Sequence, residues 1–140
     1  LVSPAGKAPE GDEVPVAALG DLNLVLPSRP HGLRLLVEAA AAKAATTINV
    51  KFQADSFRVL KDIVAAGLGH TILPLSAFYR EPQMELYQIT RLVSPRISRR
   101  LVMALPPNRP DTKATAAVRD LVTDEILRMV KSGEWRTVPR

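Results

Sequence analysis

Residues Gln53 to Phe78 read QADSFRVLKDIVAAGLGHTILPLSAF, and this stretch decides how the chain folds. Asp55 and Ser56 stand where N-cap residues belong, directly before Val59, Leu60, Ile63 and Val64, which recur at the three-and-four spacing of one helix face. Gly67 follows the last periodic residue, where a left-handed residue closes a helix without a Cβ clash, and Gly69 loosens the turn into Thr71, Ile72 and Leu73. Those three read as a short buried strand that Pro74 stops, since proline cannot donate to a ladder. Ser76 is then placed to cap a helix beginning at Ala77. The unit is helix, glycine turn, strand, proline, loop.

Upstream, Leu1-Val2 looks like the end of a strand closed by Ser3-Pro4, and a strand without a beginning suggests that the chain is a piece. Ala5 to Pro15, with two glycines and two prolines among charges, reads as a surface loop. Val16 to Leu19 predicts one helical turn, and Leu24-Val25-Leu26, closed by Pro27, the first full strand. After the loop Ser28 to Gly32, where Ser28 or Arg29 precedes a proline suited to a first helical turn, a helix follows. It places Leu33, Leu36, Val37, Ala40, Ala41 and Ala44 on one face and Leu35, Ala39 and Ala42 on another, so it is either sandwiched or meets a second subunit. Ile48 to Phe52 alternates as a half-buried strand does.

Beyond Phe78, Leu86 to Ile89 offers a weaker strand, Arg91 to Ser98 a linker, and Leu101 to Leu105 an apolar strand ended by Pro106 and Pro107. Asp111 or Thr112 caps a long last helix with Ala114, Ala117, Val118, Leu121, Val122, Ile126, Met129 and Val130 on its buried face, and Gly133 ends it.

Strand, helix, strand, helix, strand from Leu22 to Pro74, with connections too long for hairpins, implies parallel strands and right-handed crossovers. Ligands of open parallel sheets bind beyond the carboxyl ends of the strands, so the loops Pro27 to His31, Gln53 to Phe57 and Pro74 to Ala77 are expected to converge. Each opens a helix, whose unpaired N–H groups and positive dipole end suit a carboxylate or phosphate. The expected site residues are therefore Ser28, Arg29, Pro30 and His31 from the first loop, with Ala54, Asp55, Ser56 and Phe57 from the second. Arg34, near the same helix start, could face the ligand as well. Capping is the ordinary work of Ser28 and Ser56, solvation that of Arg29 and Arg34, and core packing that of Phe57.

Composition bounds the rest. The 140 residues, 46% of them apolar, suffice for one domain with part of a second and argue against disorder. With no cysteine there is neither a disulfide framework nor a thiol site. The uncharged run from Ile63 to Tyr79 is broken by Gly67, Gly69 and Pro74 and falls short of the ~18 to 20 residues a span needs, so a soluble chain without membrane contact is expected. No basic segment followed by an apolar one stands at Leu1, so no signal peptide is expected within these residues. The charge of +5 permits anionic partners, but Arg96, Arg99 and Arg100 cluster without aromatic interleaving or a helix-turn-helix pattern. Gly67-Leu68-Gly69 ends a helix and enters a strand, the reverse of a phosphate loop. Neither His31 nor His70 has a nucleophile or ligand partner at motif spacing, so no catalytic residue, metal site or cofactor is expected.

Leu24-Val25-Leu26-Pro27 followed by Gly32-Leu33-Arg34, Asp55-Ser56 with Leu60, Val64 to Gly69 with Ile72-Leu73-Pro74, and Arg99-Arg100-Leu101 after Pro95 together resemble the effector-binding domain of LysR-type transcriptional regulators. The resemblance runs from Leu1 to about Val130. It implies an α/β, periplasmic-binding-protein-like (type 2) fold with a parallel or mixed sheet, one complete subdomain plus part of a second. Residues 1–21 would be a crossover strand and loop of the incomplete first subdomain, 22–92 the second subdomain, and 93–140 the return crossover and C-terminal helix of the first. By the same resemblance the partners are a small-molecule effector of carboxylate type, like chains in a homodimer or homotetramer, and DNA through a DNA-binding domain absent from this chain; the compartment would be the cytoplasm. The alternatives are a solute-binding receptor of the same fold and an enzyme, the latter without a nucleophile-base constellation to argue for it.

Overall fold

A computed structural model describes residues 1–106, 108 and 112–135, in two compact units, Leu1–Arg99 and Arg100–Arg140. The first unit contains, in order, strands β1 (Val2–Pro4) and β2 (Glu13–Pro15), a 3-10 helix (Val16–Asp21), β3 (Asn23–Leu26), α1 (Gly32–Lys43), β4 (Asn49–Gln53) and α2 (Phe57–Ala65). Two further 3-10 turns (Leu75–Phe78 and Met84–Leu86) lead to β5 (Tyr87–Ile89) and β6 (Arg91–Val93).

β3 is the centre. It pairs in parallel with β4, the register stepping by one residue between Leu24 and Val25. On its other side Leu24 bridges His70 in parallel, with Val25 N–H donating to the His70 carbonyl (2.7 Å) and His70 N–H to that of Asn23 (2.9 Å). Thr71 then exchanges both backbone bonds with Val2, antiparallel, at 2.7 and 2.9 Å, and β1 pairs antiparallel with β5. The mixed sheet thus runs β4, β3, His70-Thr71, β1, β5. The expected strand from Thr71 to Leu73 is reduced to this two-residue bridge, because successive residues turn to different neighbours and no ladder with either one extends.

Leu24, Val25 and Leu26 are fully buried, as an apolar run in a strand covered on both faces should be. Leu24 and Leu26 pack with Leu33, Val37, Ala40 and Ala41 of α1 and with Val16 and Leu19, whereas Val2 joins Val64 of α2 and Phe78 in a second cluster. Phe78 meets Tyr87 edge-on at 5.3 Å between centroids.

α2 ends as its sequence predicts. Gly67 has φ +75°, its N–H bonds to the Val64 carbonyl (2.8 Å), and Leu68 N–H reaches that of Ile63 (3.2 Å), a Schellman closure. Leu60 and Val64 are buried while Val59 is 44% exposed, so the inward face is narrower than expected. Gly69 is required for closeness: a Cβ there would meet the Asn23 carbonyl at 2.8 Å and a Val25 methyl at 2.9 Å.

Other expectations are corrected. Glu13–Pro15 and Arg91–Val93, expected as loop and linker, pair in parallel as β2 and β6 around buried Val14 and Leu92. One inward residue per strand, flanked by charge and proline, leaves too little pattern to read. Leu86 belongs to a 3-10 turn, and the strand expected from it begins at Tyr87. Helix α1 starts at Gly32, capped by His31, whose Nδ1 accepts from Leu33 N–H (3.1 Å), so neither Ser28 nor Arg29 caps it and Pro30 lies outside it. No helix starts at Ala77 under a Ser76 cap; the 3-10 turn from Leu75 contains both residues.

In the second unit α3 (Lys113–Lys131) is capped by Thr112, whose Oγ1 accepts from Thr115 N–H (3.1 Å), and is followed by Gly133 at φ +77°. None of its residues is buried, contrary to the expected inward face; Leu121 is 70% exposed. Leu101 to Leu105 is not a strand either, and Leu101, Val102, Met103 and Leu105 are exposed. A strand exists by pairing, and no ladder partner for this segment occurs among the described residues. Pro107 and Asp111 lie outside the described residues.

Candidate ligand-binding site

Two of the three loops expected to converge do meet. The chain leaves β4 beside the end of β3, Ala54 N–H donating to the Leu26 carbonyl (3.2 Å). Ser28 then latches the first loop to the second: its N–H donates to Asp55 Oδ1 (2.9 Å), and its hydroxyl lies 2.6 and 2.8 Å from the two carboxylate oxygens. These bonds favour the charged form and hold the Asp55 carboxyl below its ordinary range. His31 and Phe57 approach across the same loops, ring centroids 6.4 Å apart.

Asp55 and Ser28 therefore serve each other. Ser56 occupies the N-cap position of α2 in an extended conformation, yet its side chain makes no capping bond. Among the described residues no side chain caps the first N–H groups of α2, which lie beside a hydroxyl able to donate. The third loop is held from α2 instead: Lys61 Nζ donates to the Ala77 carbonyl (3.3 Å), ion-pairs with Glu81, and lies 5.4 Å from the Phe78 ring centroid.

Arg29 turns toward α1. Its Nε and Nη2 donate to Glu38 at 3.0 and 2.8 Å, and Arg34 Nε donates to the same carboxylate at 2.5 Å. Bonds from the two guanidiniums keep the Glu38 carboxyl well below the usual carboxylate range. This cluster opens on a wide-mouthed surface recess of about 270 Å³ lined also by Ala41, Ala42, Thr46, Thr47 and Ile48. From sequence, Arg29 and Arg34 are expected to be able to face a ligand, but Glu38 and its pairing with them are not expected. The signal that would have found the rest is Arg34 within an apolar helical stripe, with Glu38 four residues on.

Among the described residues no cluster of acidic, histidine or cysteine side chains could hold a metal, and no helix is long and apolar enough to cross a membrane.

A mixed sheet with a helix on each face, and helix starts gathered at the carboxyl ends of parallel strands, defines an α/β ligand-binding lobe. Residues 1–127 match the family described as the LysR substrate binding domain, and the chain belongs to that family. It is 29% identical over 129 residues to the nitrogen assimilation regulatory protein Nac of Escherichia coli, covering 91% of this chain and 42% of that protein. It is 32% identical over 114 residues to YfeR of Shigella flexneri, an uncharacterized HTH-type transcriptional regulator, covering 81% of this chain and 36% of that one. The chain thus spans about two fifths of the length of these relatives. A structure of an OxyR mutant of Corynebacterium glutamicum superposes with a TM-score of 0.60 at 18% identity, over 99% of this chain and 45% of that one, which places the fold in the periplasmic-binding-protein-like class.

Proposed function

We propose that this chain is the ligand-sensing part of a bacterial transcription regulator, and that its effector is a small carboxylate bound at the open amino end of α2. The observation that carries this reading is the Ser28–Asp55 latch, which fixes the loops after β3 and β4 together while leaving Ser56 and the first N–H groups of α2 without a side-chain acceptor among the described residues. A carboxylate there gains a charge-assisted hydrogen bond from the hydroxyl and backbone, worth about 1.5 to 3 kcal/mol. Asp55, next in sequence, makes the site selective: its charge opposes an anion that does not reach past it to Ser56 and rewards a ligand that carries a donor as well.

On this reading residues 22–92 form the complete subdomain, and residues 1–21 and 93–140 belong with a first subdomain that closes the cleft. Effector binding changes the relation of the two, and through it that of DNA-binding domains attached elsewhere in a cytoplasmic homodimer or homotetramer. The names of the relatives support a regulator over a free solute receptor. The exposed Leu35 on α1, with Ala39 and Ala42, supplies an association face; Leu35→Glu should shift sedimentation toward monomer with an unchanged circular dichroism spectrum, and an unaltered distribution removes the face from the proposal.

The site is tested in the full-length regulator by calorimetry against its inducing carboxylate. Ser56→Ala should weaken binding about tenfold or more while operator affinity without inducer stays the same. Parental binding by Ser56→Ala would place the pocket elsewhere.

A further inference from the structure

The Arg29–Glu38–Arg34 cluster poses a charge problem that the latch site does not solve. Arg34 is 8% exposed, and its side chain only 10%, so its cation sits largely out of water. The carboxylate of Glu38 is shared between two guanidiniums, which leaves one positive charge uncompensated within the cluster. Arg34 spends Nε on Glu38 and Nη1 on the Pro27 carbonyl (3.4 Å), and Arg29 spends Nε and Nη2 on Glu38; among the described residues no acceptor meets Arg34 Nη2 or Arg29 Nη1. A largely buried guanidinium in a cluster of net charge +1, with donor groups open to an adjoining recess, is the physical signature of an anion's place.

The walls narrow the class. Ala41, Ala42 and Ile48 are apolar, and Thr47 adds a hydroxyl, whereas that of Thr46 is occupied by the Ala17 carbonyl (3.1 Å). About 270 Å³ admits a molecule of a few heavy atoms. We infer that the recess between α1 and the α1–β4 connection is a second ligand site, taking a short-chain carboxylate: its oxygens on the free N–H groups of Arg29 and Arg34, its alkyl body on Ala41 and Ile48. The site is independent of the α2 amino end, since it shares with it only Arg29, whose side chain is turned to Glu38.

The test uses the 140-residue chain and sodium butyrate as probe, at constant ionic strength, following the Arg34 Nε–H resonance by nuclear magnetic resonance. A saturable shift in the millimolar range is expected, with inorganic phosphate, which has no alkyl body, binding several-fold more weakly. Arg34→Gln should abolish saturable butyrate binding, followed in that variant on the Thr47 amide. Thr47→Leu, which fills the recess without touching the ion pairs, should weaken it about tenfold, and Ser56→Ala should leave it unchanged. A shift linear in concentration, or parental affinity in Thr47→Leu, overturns the site; phosphate as tight as butyrate overturns the carboxylate assignment; loss in Ser56→Ala shows that the α2 amino end was being read instead.

Discussion

Helices α1 and α3 are both capped, both apolar along one stripe and both followed by a residue of positive φ, Ala45 at +52° and Gly133 at +77°, yet α1 buries Leu33, Arg34, Val37, Ala40 and Ala41 while α3 has no buried residue. The difference is not in the helices. Capping and propensity act within a few residues and decide that a helix forms; burial needs a second surface, which β3 and the 3-10 turn before it present to α1. Periodicity therefore measures a helix's capacity for packing and says nothing of whether the capacity is used.

The sharpest way to break this comparison is to cut the same side chain in both places. Leu24→Ala removes a fully buried residue between α1 and the sheet and should cost about 2 to 5 kcal/mol in denaturant unfolding, whereas Leu121→Ala, on the exposed stripe of α3, should stay within about 0.5 kcal/mol. A large loss from Leu121→Ala would mean that α3 has a partner surface after all. An intermediate effect belongs to Gly69→Ala, whose methyl would press on the Asn23 carbonyl and Val25; about 1 to 3 kcal/mol is expected, with the near-ultraviolet signal preserved. Parental stability in that variant would show that β3 and the His70 bridge are less closely joined than 2.7 Å backbone bonds imply.

What could be read from sequence divides along the same line. The β3–α1–β4–α2 order, the parallel pairing of β3 with β4 and the glycine closure of α2 follow from periods of two and three-to-four and from Gly67, all local signals. β2 and β6 escaped because Val14 and Leu92 are single inward residues whose strand character exists only in the pair. The site loops were legible as helix starts after strands, but the side-chain pairing within them was not. Asp55, read with Ser56 as a cap, bonds to Ser28 across 27 residues, and Arg29 chose Glu38 across nine. Such choices depend on distances that only the folded sheet creates.

Residues 1–99 hold a core of their own that carries the Ser28–Asp55 latch and the α2 amino end, whereas α3 has no buried residue. Native-state hydrogen exchange on the intact chain tests it residue by residue. The amides of Val25 and Val37 should exchange only through global unfolding, and those of Leu121 and Val122 in mid-α3 at least about a hundredfold faster, through local opening. Equal protection of α3 and β3 would contradict the account.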